Sequence, residues 1–379
     1  MNELIRAVDI HKVYRKRRGL LDFIRADGGG REDGSGAVTG GAAAAGPPLT
    51  VERDAAGRDG FRVAAVDGVT LAISEGETLG LVGESGCGKT TLARTLLMLT
   101  RPSAGHVFFA GHDLTLLPRG ELRKLRRQMR LIFQNADAAL NPGMRVGDIL
   151  TEILANNTAL PRRLRSAKAG ELLEQVNLSA DFLTRRPDQL SGGQKRRVTI
   201  ARALAGNPRL IVGDEPVSGL DVSIQAQIIN LLRDLQAEHR LGFLFISHDI
   251  AMVKYISHRI AIMYAGKIVE VGPNQVVTAD GGMHHPYALM LFSCVLFTRM
   301  AESSAAAADW EIPQLAAIPR SGCRFRPRCE RYRGLGQPTR CAEAEPELLS
   351  AGPGHFIACH YPEAATPVAP GAVAGFPQA

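Results

Sequence analysis

The sequence predicts an α/β fold: a parallel sheet joined by crossover helices, with a helical insertion in mid-chain and a small cysteine-bearing extension at the end. Three observations predict it. Short apolar runs of strand length, at Thr78–Val82, 210–213 and 243–247, end in glycine or charge, as strands buried on both faces do. Stretches of helical period lie between them, such as 223–238, so the strands are joined by crossovers and run parallel. Residues 137–188 carry helical periodicity and few strand signals, which fits an inserted helical unit.

Other elements follow in chain order. Residues 9–14 read as a short strand, followed by a basic run at 15–18. From 28 to 48 the chain is rich in Gly and Ala with few large apolar side chains. Such a stretch buries too little surface to offset its ordering entropy, so a flexible loop is expected over 28–60. A strand pattern resumes at Arg62 and continues to Ile73, and 260–271 reads as two strands around Ala265 and Gly266. Beyond Gly272 the pattern weakens and Pro and Ala rise. The expected organisation is a main domain over 1–272 with its helical insertion at 135–189, an extension over 273–361, and a disordered tail over 362–379. No internal repeat is visible.

The chain has 379 residues, 45% of them hydrophobic, with a formal net charge of +7 and a pI near 9.2. That suits a globular protein with a sizeable core. The basic excess fits a phosphate-rich ligand, an acidic partner or an anionic membrane face, and equally a solvated basic surface. The longest apolar stretch, 288–297, is half the roughly 20 residues that cross a bilayer. The first residues lack the apolar core of a signal peptide, so a cytosolic, thiol-reducing setting is expected.

Three motifs carry chemistry. Gly83, Glu84, Ser85, Gly86, Cys87, Gly88, Lys89 and Thr90 fill every fixed position of a phosphate-binding loop between a strand and a helix, with Thr91 following. The glycines let backbone N–H groups converge on phosphate oxygens, and the helix N-terminus adds partial positive charge. Lys89 is expected on the β/γ-phosphates and Thr90 on Mg²⁺. Cys87 reads as a small residue that fits the loop. Next, the apolar run 210–213 delivers Asp214 and Glu215 to a sheet edge. Taken alone, two such acids are a solvated strand end; beside a phosphate loop they are a Mg²⁺ carboxylate (Asp214) and a group that polarises the attacking water (Glu215). Third, Ser191, Gly192, Gly193 and Gln194 form a helix start with a capping box.

Together these motifs resemble the ABC ATPases, whose signature peptide matches 190–194. In family order, Gln134 resembles the Q-loop glutamine, residues 218–221 ending in Asp221 the D-loop, His248 the switch histidine, and Tyr14 the aromatic that stacks on adenine. Gly219 stands where the family usually has Ala. The resemblance covers 7–15 and 63–272. It implies a P-loop NTPase core with a mixed sheet and a helical subdomain, and an ATPase using ATP and Mg²⁺. Thr90, Gln134 and Asp214 would hold the metal, with Glu215, His248 and Gln134 as the catalytic set. It also implies a head-to-tail dimer in which Ser191–Gln194 of one chain caps ATP on the other, and a helical subdomain that grips a membrane subunit. His248 read alone is more simply a satisfied histidine.

Residues 140–144, 216–218, 221–223, 285–287, 322–329 and 358–360 resemble the oligopeptide/dipeptide importer ATPases and extend coverage to about residue 361. The chain departs from that pattern in the length of 28–60, in the spacing between Cys329 and Cys341, and in lacking a Pro-rich connector over 300–318. The resemblance implies two transmembrane permease subunits, a second identical or different ATPase subunit and an extracytoplasmic substrate-binding protein, at the cytoplasmic membrane face. Nickel, glutathione or another small solute is the alternative cargo. An ABC-type ATPase acting on nucleic acid or the ribosome is a different class. No long coiled coil fits between Lys89 and Ser191 and only one ATPase domain is present, so no nucleic-acid partner is expected. Intact Lys89, Asp214, Glu215 and Ser191 argue against a non-catalytic subunit.

Cys323, Cys329, Cys341 and Cys359 are separated by 5, 11 and 17 residues. In a reducing compartment they read as ligands of Zn²⁺ or of an iron–sulfur cluster, or as unligated core cysteines. No pair has the short spacing usual for zinc, and the family resemblance favours [4Fe–4S], with Zn²⁺ as runner-up. A segment this short and Pro-rich needs a staple, and the cytosol disfavours disulfides. The centre is expected well away from the nucleotide.

Overall fold

A computed structural model of the chain describes residues 3–17, 49–53, 59–279, 282–301, 318–319 and 321–364. The strands are β1 (Glu3–Arg17), β2 (Leu49–Arg53), β3 (Asp59–Ser74), β4 (Thr78–Val82), β5 (Ala104–Phe109), β6 (His112–Asp113), β7 (Met129–Ile132), β8 (Leu210–Asp214), β9 (Gly242–Ile246), β10 (Arg259–Tyr264), β11 (Lys267–Pro273), β12 (Met283–His284), β13 (Leu349–Gly352), β14 (His355–Ile357) and β15 (Glu363–Ala364). The helices used below are α1 (Lys89–Leu96), α2 (Arg119–Arg126), α3 (Ala136–Ala139), α4 (Val146–Asn157), α5 (Arg162–Gln175), α6 (Gly192–Leu204), α7 (Val222–His239), α8 (Ile250–Ile256), α9 (Asn274–Val277) and α10 (Pro286–Ala301).

Two large sheets form the molecule. The larger has the order β13-β14-β11-β10-β4-β9-β8-β7. Its stretch from β10 to β7 is parallel, and β11, β14 and β13 add antiparallel at one edge. The smaller sheet, β2-β3-β1-β5-β6, is antiparallel throughout. Side chains of a strand alternate between faces, and both faces of the larger sheet are covered. Leu210, Val212, Leu244 and Ile246 pack toward the smaller sheet and α1, in one core with Ile5, Val69 and Leu92. Ile211, Phe243 and Phe245 point the other way, into a core with α6, α7 and the inserted helices α4 and α5. Phe243 and Phe245 are essentially inaccessible, and full burial of such a side chain contributes about 1.5–3 kcal/mol. The continuous apolar runs in the sequence are the signature of this two-sided burial.

β10 and β11 turn at Ala265 and Gly266, both with positive φ (45° and 86°). That pair of values is the tight turn whose twist matches a hairpin, so the two strands expected around these residues form with a two-residue connection.

Three boundaries differ from expectation. Within the loop expected over 28–60, Leu49–Arg53 pairs antiparallel with β3. Residues 28–48 lie outside the described residues. In the tail expected from 362, Glu363–Ala364 pairs with β12; residues 365–379 also lie outside. Finally, the extension shares the main core: Val277, Tyr287, Ala288, Phe325 and Cys329 belong to the same cluster as Phe243 and Ile260, and β14 pairs with β11.

Candidate active site

The larger sheet brings four chain segments to one edge. The glycine loop follows β4, His248 follows β9, Asp214 ends β8 with Glu215 next, and Gln134 lies just beyond β7. These four strands are consecutive neighbours and parallel, so their carboxyl ends open on one crevice, where α/β sheets bind ligands.

The loop 83–88 leads into α1 at Lys89. Gly88 has φ +114°, and a Cβ there would meet the Ala65 carbonyl at 2.1 Å, so only glycine fits this approach of loop to β3. Lys89 is 7% exposed. Its Nζ donates to the carbonyls of Gly83 at 2.6 Å and Glu84 at 2.8 Å. Cys87 is buried, and burial raises its thiol pKa, so it stays a neutral thiol and packs as a small apolar residue.

Thr90 Oγ1 donates to Asp214 Oδ1 at 3.0 Å, joining α1 to the end of β8. Burial pushes the Asp214 carboxyl up, and the neighbouring Glu215 charge adds to this against the Thr90 hydrogen bond. A site of this kind favours a cation, since hydroxyl and carboxylate oxygens are hard donors. Glu215 has φ +49°, a left-handed conformation that costs a non-glycine residue energy and turns its side chain out of the strand direction. Gln134 Nε2 donates to Glu215 Oε2 at 2.8 Å. His248 Nδ1 lies 3.2 Å from the other oxygen, Oε1. The expected catalytic set is therefore one hydrogen-bonded cluster.

Ser191 and Gln194 form the expected capping box: Ser191 Oγ accepts from Gln194 N at 3.3 Å, and Gln194 Oε1 accepts from Ser191 N at 3.0 Å. Gly192 faces Leu220, and a Cβ on Gly193 would meet Ile224 at 2.9 Å, so this helix start packs on the segment around Asp221, the N-cap residue of α7. Ser191–Gln194, Asp221 and Tyr14 do not join the Glu215 cluster. Tyr14 is an exposed side chain on β1, with Lys12 Nζ 5.2 Å from its ring centroid.

The four tail cysteines line one small cavity with His285, Phe325 and Tyr332. Burial raises all four thiols, Cys323 to about 11 and Cys359 to about 12, with the neighbouring cysteines adding to the rise at Cys359. The centre is expected well away from the nucleotide; the extension that carries it nonetheless reaches the nucleotide loop through a side chain. Arg328, adjacent to Cys329, donates to both carboxylate oxygens of Glu84, at 2.7 and 2.8 Å. The tail packs beside the loop because Tyr264, Tyr287 and Phe325 form a single aromatic cluster, with centroids 4.7–5.4 Å apart.

Sequence reasoning missed three contributors. Arg196 of α6 donates to the carbonyls of Phe133 and Gln134, both at 2.6 Å, tying the helix after Ser191 to the Gln134 segment. Tyr287 and Arg328 bear on Glu84 from far along the chain. An arginine inside a buried helix face was the one available signal for Arg196; the other two stood only within the 285–287 and 322–329 resemblances, which gave no hint of their partner Glu84.

Comparisons with known proteins give the family. A family model described as ABC transporter matches residues 66–218. Over 319 residues the chain is 43% identical to the probable peptide ABC transporter ATP-binding protein y4tS of Sinorhizobium fredii, spanning 82% of this chain and 87% of that protein. It is 44% identical over 303 residues to the oligopeptide transport ATP-binding protein AppF of Bacillus subtilis, spanning 79% and 89%. Among solved structures, a dimeric post-hydrolysis state of the ATP-binding cassette MJ0796 bound to ADP and Pi is similar, with TM-score 0.54 and 26% identity over 71% of this chain and 98% of that one. The chain belongs to the ABC transporter family, as one of its ATP-hydrolysing subunits. Among the described residues no helix is long and apolar enough to cross a membrane.

Proposed function

We propose that the chain hydrolyses ATP to drive import of oligopeptides or dipeptides, docked at the cytoplasmic face of the membrane on two permease subunits. It pairs there with a second ATPase subunit, and an extracytoplasmic binding protein delivers the cargo. The observation that carries this is the convergence of the glycine loop, Gln134, Asp214, Glu215 and His248 on adjacent parallel strand ends. The names of the peptide-transport relatives support the cargo class.

In this reading residues 83–91 cradle the ATP phosphates and Lys89 exchanges its two carbonyl bonds for the β/γ-phosphates. Thr90, Asp214 and Gln134 would hold the Mg²⁺ that accompanies the nucleotide, which would offset the charge of the phosphates. Glu215, held by Gln134, orients the attacking water, and His248 contacts the γ-phosphate. Ser191–Gln194 cap ATP on the partner, Asp221 lies at the dimer seam, and Tyr14 stacks on adenine. Purified transporter should hydrolyse ATP faster when its binding protein carries peptide. Stimulation by nickel or glutathione, and none by peptide, would select the alternative cargo.

For the cysteines we favour a [4Fe–4S] cluster held by Cys323, Cys329, Cys341 and Cys359. They fit it by number and by their common cavity. A tetrahedral Zn²⁺ draws its sulfurs to about 3.8 Å from one another, given Zn–S bonds of about 2.3 Å. Among the described residues no three of these sulfurs lie within 4.8 Å of one another, so they do not stand preassembled around one tetrahedral ion. A bound cluster would supply cross-linking and a redox-sensitive charge to the tail.

A further inference from the structure

Glu84 is held on three sides. Its carboxylate takes both prongs of the Arg328 guanidinium, at 2.7 and 2.8 Å. Its backbone N–H donates to the Tyr287 hydroxyl at 3.0 Å. Its carbonyl accepts from Lys89 Nζ at 2.8 Å. The first two restraints come from beyond residue 273, a segment with no part in the chemistry described above. Arg328 is fixed in turn. It ends the short 3-10 turn Arg326–Arg328, its side chain is 13% exposed, and its guanidinium lies 5.8 Å from the ring centroids of Tyr264 and Phe325. Tyr287 is fully buried.

A glutamate in a loop that receives a triphosphate poses an electrostatic problem. Left unpaired, its charge repels the ligand. Paired with arginine in fork geometry it carries no net charge, and the pair is among the strongest protein hydrogen-bonding arrangements. Shielding from solvent also leaves it little screened by salt.

The geometry points to Arg328 as a positioning residue for ATP: reaching from the cysteine-bearing extension, it neutralises Glu84 and fixes the loop backbone from which Lys89 meets the phosphates. It acts through Glu84 and touches no reacting atom. A second arm works in parallel. Arg324 pairs with Asp67 and donates to the Ala265 carbonyl at 2.6 Å, and Gly266 of that same turn donates to the Cys87 carbonyl at 2.8 Å. The extension thus reaches both Glu84 and Cys87. This inference rests on the reading that residues 83–91 cradle ATP.

The test measures Mg-ATP affinity, KM and kcat, and the melting temperature without nucleotide, in full-length chain assembled with its transporter subunits. Arg328→Ala should weaken ATP binding about tenfold or more, as expected for losing charge-assisted hydrogen bonds. KM should rise while kcat at saturating ATP changes less than about threefold, the pattern of a lost uniform binding contribution. Arg328→Lys, which keeps the charge without the fork, should fall between. Adding Glu84→Gln to Arg328→Ala should restore part of the affinity, because no unpaired carboxylate remains. A lower melting temperature with ATP affinity within about twofold of wild type in all three variants would make Arg328 a purely structural clasp and overturn the inference. Lys89→Ala is the control. If it too binds ATP normally, the assignment of the phosphate loop fails; if it alone loses binding, only the role of Arg328 fails.

Discussion

Gln134 donates its side-chain amide to Glu215 at 2.8 Å while His248 lies 3.2 Å from the other carboxylate oxygen. Each of those oxygens keeps a further lone pair, so the same carboxylate can accept a hydrogen bond from a water while both side chains hold it in place. In the proposed reading Gln134 would also be a ligand of Mg²⁺, so Mg-ATP would compete with Glu215 for this side chain.

Glu215→Gln keeps the shape of the side chain and removes its charge. Turnover should fall about 10²–10⁴-fold, the range for loss of a positioned base, while ATP binding stays within about threefold of wild type. Phosphate release and retained nucleotide would be measured on the same preparation. Loss of ATP binding along with turnover would make Glu215 a structural residue, whose charge holds Gln134 and His248 in place rather than orienting water.

Ser191→Arg separates a helix cap from a composite site. Loss of a serine cap costs about 0.5–2 kcal/mol, too little to unfold a domain with two cores. The expected outcome is ATP binding to the chain's own loop at near-normal affinity, with hydrolysis lost because bulk and charge at the partner's γ-phosphate block closure. Parallel loss of binding, turnover and melting temperature would reduce the segment to its capping role.

The parts of this protein that were legible in its sequence are those governed by local rules. β4, β8 and β9 were readable because two-sided burial writes an unbroken apolar run, and the Ser191–Gln194 cap because its spacing is the mechanism. The glycine loop was readable because few residues besides glycine tolerate Gly88's conformation and its approach to Ala65. What the sequence hid was set by distant pairing. Leu49–Arg53 is a strand through its partner β3. Arg328 stood out only as part of the 322–329 resemblance, because its role depends on Glu84, 244 residues away. Its proximity to the nucleotide loop rests on the Tyr264, Tyr287 and Phe325 packing, which no periodicity encodes.

The cysteines predict a direct chemical result. Anaerobically purified chain should contain about four iron and four sulfide per chain and absorb in the thiolate-to-iron region. Cys341→Ser should lose most of both and destabilise the tail. One zinc per chain without iron would favour the runner-up. A folded, metal-free tail with four titratable thiols would reject a metal centre.

The stability of the extension should fall as pH rises. Glu270 of β11 is fully buried and receives His284 Nδ1 at 2.8 Å, His355 Nε2 of β14 at 2.9 Å and the His285 backbone N–H at 2.8 Å. The other ring nitrogen of His284 faces the Ala279 carbonyl at 3.2 Å. Only an imidazolium donates from both nitrogens. Burial disfavours that charge, but the hydrogen bond and the charge of Glu270 outweigh it and raise the His284 pKa above its ordinary value of 6.5. His285, buried without a counter-charge, is driven down to about 3 and stays neutral throughout. A raised folded-state pKa contributes stability that is complete below the unfolded value and is lost as pH climbs through the folded one. A tenfold difference in proton affinity between the folded and unfolded chain is worth about 1.4 kcal/mol. Melting curves between pH 6 and 9 should therefore show wild type losing stability with rising pH. His284→Gln should start lower and respond far less to pH. Equal slopes in the two proteins would remove His284 as the titrating group and leave Glu270 as an ordinary hydrogen-bonded acceptor joining β14 to β11.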